Sequence, residues 1–149
     1  MNKSAAAAAA SAALVATTVL SGAAVMPGAA TEDRSPHTKR FVLHETGSHS
    51  VGERAFAGSD KIRSRHSHEV VGFDSTTGKY FPRMNKSVAD LAFALKGGII
   101  VGRLSFDASD PHFAGRILKG TGNYKGIGGT IEGRLTNSRK TFLTLHYHL

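Results

Sequence analysis

From Gly129 to Leu135 the chain puts Gly129, Ile131, Gly133 and Leu135 on one side of an extended backbone and Thr130, Glu132 and Arg134 on the other. A period of two is the repeat of a β-strand with one buried face. The same alternation recurs upstream. Phe41, Leu43 and Glu45 alternate with Val42 and His44; Leu91, Phe93 and Leu95 oppose Asp90, Ala92 and Ala94; Ile100, Leu104 and Phe106 oppose Arg103 and Ser105. Beyond the first 30 residues no long stretch carries the 3.6-residue apolar stripe of an amphipathic helix. The pattern predicts an all-β domain.

Turn residues divide it. Strands are predicted over 41–45, 61–65, 69–73, 88–95, 99–106, 113–119, 129–135 and 141–147. Thr46 to Ser59, with three glycines, reads as a loop that buries only Phe56, and Asp74-Ser75-Thr76-Thr77-Gly78 reads as a reversal, because its side chains bond their own backbone and its glycine accepts positive φ. Lys96-Gly97-Gly98 reads as a tight hairpin turn. About eight such strands suffice for a small closed antiparallel β-barrel, in which the first strand pairs with the last and no edge is left open. An immunoglobulin-like sandwich is the alternative, although its cysteine and tryptophan marks are missing.

The first 30 residues differ in composition. Lys3 is followed by an alanine-rich, uncharged run and the small-residue segment Gly28-Ala29-Ala30, which fits a cleavable signal helix cut after Ala30. Thr31 to Thr38 is a polar tether, and residues 39–149 form the domain. The expected location is secreted, with no membrane span in the mature chain. The absence of cysteine excludes disulfides, thiolate zinc sites and a cysteine nucleophile. A net charge of +8 is scattered in short basic pairs such as Lys39-Arg40 and Arg139-Lys140, with no nucleic-acid-binding motif, so no nucleic-acid partner is expected.

Gly120-Thr121-Gly122-Asn123-Tyr124-Lys125-Gly126-Ile127-Gly128-Gly129 resembles the Gly-Thr/Ser-Gly-x-Phe/Tyr-x-Gly-x-x-Gly signature shared by allene oxide cyclases and dirigent proteins, where it joins two barrel strands. Gly58 to Ile62, Val71-Gly72 and the closing Phe142 to Leu149 resemble other strands of those families in the same order, so the resemblance runs from about Phe41 to Leu149. On physical grounds the glycines permit a compact reversal, with Tyr124 plugging the end of an apolar core. A phosphate cradle needs a helix after its glycines, and a strand follows here.

The resemblance implies an apolar cavity along the barrel axis that binds or orients a hydrophobic small molecule, and a homo-oligomer, a trimer. Glu45 corresponds in position to an acid implicated in the cyclases. The tyrosine expected in the central hairpin has no counterpart in Ala94-Leu95-Lys96-Gly97-Gly98-Ile99. Candidates to line the cavity are Asp60, Phe93, Arg103, Glu132 and His146. Three functions follow: binding or stereochemical guidance, an isomerase or cyclase using an interior acid, or a structural protein with a filled barrel. His66 with His68, and His146 with His148, have the spacing that puts two rings on one strand face. Two imidazoles do not complete a metal site, and neither metal nor cofactor is expected.

Overall fold

The computed structural model describes residues 35–136 and 139–149. The signal helix and the first half of the tether, residues 31–34, lie outside the described residues. Eight strands, β1 (His37–Val51), β2 (Ala55–Ser64), β3 (Val70–Phe81), β4 (Lys86–Leu95), β5 (Gly98–Asp107), β6 (His112–Gly120), β7 (Gly128–Leu135) and β8 (Lys140–His148), form a closed barrel in sequence order. Every neighbouring pair is antiparallel, and β1 closes on β8 through His37↔Tyr147 to His44↔Lys140. Pairing therefore begins two residues inside the segment read as tether. Closure removes the exposed sheet edges that an open sandwich would have to protect.

The alternation read from sequence is the barrel's inside and outside. Phe41, Leu43, Leu91, Phe93, Ile100, Leu104, Ile131, Leu143 and Leu145 point inward and are buried. Ile62, Phe93, Ile100, Ile131 and Leu145 have no exposed surface. Burying each such side chain contributes roughly 1.5–3 kcal/mol, and together they fill the middle of the barrel. Tyr124 ends a short 3-10 turn, Gly122–Tyr124, and is buried at one end as the plug expected of it.

Two expectations are corrected. The supposed loop 46–59 is the long outer part of a β1–β2 hairpin, reversed only at 52–54 and re-registered by a bulge between Glu45 and Gly47. The supposed reversal 74–78 is the straight middle of β3, paired with β2 on one side and β4 on the other. Turn propensity loses here because two ladders satisfy this backbone, and the β-branched Thr76 and Thr77 suit a pleated strand. Gly78 is kept small by Phe56, whose ring lies 2.3 Å from where a Cβ would stand.

Candidate functional site

At the barrel end away from Tyr124 the filling is incomplete. A chamber of about 150 Å³ is walled by Leu43, Leu91, Leu104, Leu143, Phe106 and Phe113, with Phe56 meeting Phe106 edge to face at 6.4 Å between ring centres. Ala89, only 1 % exposed, leaves the room that a larger inward side chain on β4 would take.

Two carboxyls break this apolar wall. Asp60 on β2 and Asp74 on β3 are direct register partners, and both line the chamber. The Asp60 backbone N–H donates to Asp74 Oδ1 at 2.8 Å. Asp74 is 6 % exposed. Burial, then the neighbouring charge of Asp60 and a hydrogen bond to its side chain, push the Asp74 pKa up from 3.8 to about 7. The Asp60 pKa is also raised, by burial first, with the hydrogen bond to Asp74 opposing and the charge of Glu45 adding to the rise. Two adjacent carboxyls in an apolar setting do not both ionise readily, so the pair retains a proton that ordinary aspartates have lost by neutral pH.

The chamber shares Phe56, Asp60, Thr76, Leu135 and Thr141 with an outer vestibule of about 620 Å³. Glu45 stands on this vestibule, exposed, and accepts a hydrogen bond from the Ser48 hydroxyl. Its place is the mouth, with Asp60 one step inward and Asp74 deepest.

The other sequence candidates separate from this group. Phe93 faces inward and is fully buried, but it packs in the filled middle and does not line the chamber. Arg103, Glu132 and His146 point outward and are exposed, as their alternation with Leu104, Ile131 and Leu145 requires. Arg103 is held at the surface by a two-pronged bond to Asp90, 2.6 Å from Nε and 3.0 Å from a terminal nitrogen. His146 meets the Thr38 hydroxyl at 3.2 Å, also on the outside. These three residues therefore do not line the interior. Arg103→Ala is expected to leave both the melting midpoint and ligand binding unchanged, since exposed ion pairs contribute little; thermal melts and titrations of the variant check this.

His66 and His68 fall in the β2–β3 turn, off any strand face, with His68 at φ 60°. Among the described residues no three metal-ligating side chains gather. Sequence reasoning missed Asp74. The signal that finds it is the run Gly72, Asp74, Thr76, Gly78, one inward face of a strand whose opposite face carries the exposed Phe73. With apolar Phe73 outside and polar groups inside, the usual polarity of a barrel strand is inverted, and the run reads as a turn.

No family model matches the chain, and no curated protein matches it. Solved structures do share the fold. A pyocyanin demethylase superposes with a TM-score of 0.65 at 18 % identity, covering 74 % of this chain and 99 % of that one. The pterocarpan synthase dirigent protein GePTS1 superposes with a TM-score of 0.65 at 14 % identity, covering 84 % of this chain and 96 % of its own. At these identities the likeness is one of fold: the domain's closed barrel is similar to the barrels of both proteins.

Proposed function

We propose that the barrel binds and orients a small hydrophobic molecule that carries one hydrogen-bonding oxygen or nitrogen. A single observation carries this reading, the apolar chamber entered by two adjacent carboxyls, of which buried Asp74 has its pKa pushed up to about 7. An apolar cavity of about 150 Å³ accommodates a ligand on the scale of one aromatic ring. The walls supply affinity without direction, and the polar contact supplies orientation. Protonated Asp74 can donate to a carbonyl or ring nitrogen; ionised, it can accept from a phenolic hydroxyl. The two fold neighbours are named for pyocyanin and for a pterocarpan, which supports a small-molecule role for this barrel also. The leader-like composition of residues 1–30 supports action outside the cell.

A second reading, proton transfer of the isomerase or cyclase kind, is favoured by the same pair. A general acid or base works best when its pKa lies close to the working pH. In this reading Asp74 is the proton carrier and Asp60, its register partner, tunes it.

The test is calorimetric titration with monocyclic phenols such as p-cresol. One molecule is expected to bind per barrel, and Ala89→Leu, which fills the chamber, is expected to weaken binding at least tenfold. The proposal fails if p-cresol does not saturate, or if it binds Ala89→Leu as well as it binds the parent.

A further inference from the structure

The opposite end of the barrel holds a second recess that the chamber reading leaves without a role. A groove of about 920 Å³ runs between the start of β1, the β2–β3 turn, the β4–β5 turn and Tyr124. It shares no lining residue with the chamber, and the fully buried Ile62, Ile100 and Leu145 line neither. Its floor is apolar, made by Phe41, Val71, Leu95 and Tyr124. Its rim is cationic, with Lys39, Arg40, Arg65 and Lys96 beside His66, and no acidic residue lines it.

Lys39 is the informative member. It lies on the inward-facing row of β1 with Phe41 and Leu43 and is half-buried. Its ammonium donates to the Tyr124 hydroxyl at 3.3 Å and lies 5.2 Å from the centre of that ring and 5.9 Å from that of Tyr147. The Tyr124 hydroxyl donates onward to the Lys96 carbonyl at 3.5 Å, which leaves its oxygen free to accept from Lys39. Partial burial pulls the Lys39 pKa down, but the tyrosine hydroxyls more than offset this and it is raised. Among the described residues no carboxylate pairs with Lys39 or Lys96. The Arg65 guanidinium is already stacked 5.1 Å from the centre of the Phe142 ring, and Arg40 is exposed on the outward row of β1, so the inward-row Lys39 and the turn residue Lys96 are taken as the head-group contacts.

The two tyrosines hold Lys39 as an ammonium over an apolar floor, and with no carboxylate beside it that positioned positive charge is available to an incoming anion. We infer that this groove binds an amphipathic oxyanion, its hydrocarbon body on Phe41, Val71, Leu95 and Tyr124 and its carboxylate or phosphate head between Lys39 and Lys96. A lysine ammonium is a point charge that takes either head, so the floor selects for the body and the rim for the charge.

Calorimetric titration with decanoate and with decyl phosphate tests this and tells the two heads apart. At least one of them is expected to bind once per barrel, with decanol and inorganic phosphate each at least tenfold weaker. Lys39→Met is expected to weaken that binding at least tenfold. Lys96→Gln, at an exposed position that does not disturb the interior, is expected to weaken it several-fold, whereas Ala89→Leu leaves it unchanged. The inference is overturned if neither amphiphile saturates, if decanol binds as well as they do, or if both lysine variants bind like the parent. Loss of amphiphile binding in Ala89→Leu would also overturn it, because the occupied site would then be the chamber. The p-cresol titration succeeds or fails independently.

Discussion

Asp74→Asn is expected to raise the stability of the folded barrel at pH 8 by about 2–4 kcal/mol and to flatten its dependence on pH between 4 and 7. The sign follows from the direction of the shift. With a pKa raised from 3.8 to about 7, Asp74 holds its proton more tightly in the folded chain than in the unfolded one. Its contribution is fully present below pH 4, where both states are protonated. It is lost as the pH rises towards 7, because the folded state must then ionise a buried carboxyl that the unfolded state has already ionised in water. Asparagine is neutral throughout and keeps the Oδ1 acceptor for the Asp60 N–H. For a domain of this size the gain corresponds to a melting midpoint higher by roughly 10 °C. Thermal melts of parent and variant from pH 4 to pH 8 read it directly. If the variant is less stable than the parent at pH 8, the carboxylate is needed as an ion and the protonated pair is the wrong description. A carboxyl kept at a cost to stability, inside the chamber, is what a working group looks like, since sites that act on ligands commonly retain residues that the fold alone would discard.

How much of this was legible in the sequence depended on which force decided each element. The central hairpin and β8 were readable because one face of each is apolar and buried, and β6 and β7 because their less exposed rows, Phe113, Gly115 and Ile117 and then Gly129, Ile131 and Gly133, keep the same period of two. Leu91 and Phe93 on β4 and Ile131 on β7 are found inside as their alternation requires. The same pattern assigns Arg103 and Glu132 to the exterior, and that signal was outweighed by the expectation that a cavity needs charges. The β1–β2 hairpin and β3 were hidden for a different reason. Their outer halves carry serine, threonine, glycine and charged residues, and what makes them strands is pairing with distant neighbours, which local propensity does not encode. Asp74 lay in that stretch. Its partner Asp60 was visible as a charged strand residue, but the register that sets the two side by side is a property of the closed barrel, not of either segment.

The Tyr124 end of the core rests on a contact between two turns, and Gly98→Ala is expected to destabilise the barrel by about 3–5 kcal/mol. Gly98 has φ +153°, and a Cβ there would stand 2.0 Å from the Thr121 carbonyl oxygen. The neighbour is backbone, so no rotamer change relieves the overlap. It is held by a tight set of bonds: Thr121 N–H to the Ile99 carbonyl at 2.8 Å, Asn123 N–H to the Gly97 carbonyl at 2.8 Å, and Ile99 N–H to the Thr121 hydroxyl at 3.0 Å. Pushing the turns apart breaks these bonds and withdraws Tyr124, the residue that fills this end of the core. Gly126→Ala separates strain from crowding, because Gly126 also has positive φ, +86°, yet a Cβ there meets nothing within 4 Å. It is expected to cost only about 1–2 kcal/mol, the conformational penalty alone. Denaturant unfolding of the two variants side by side is the measurement. Equal losses would mean that the glycines of this motif serve only backbone freedom; a clearly larger loss for Gly98→Ala means that the two turns must touch for Tyr124 to seal the barrel.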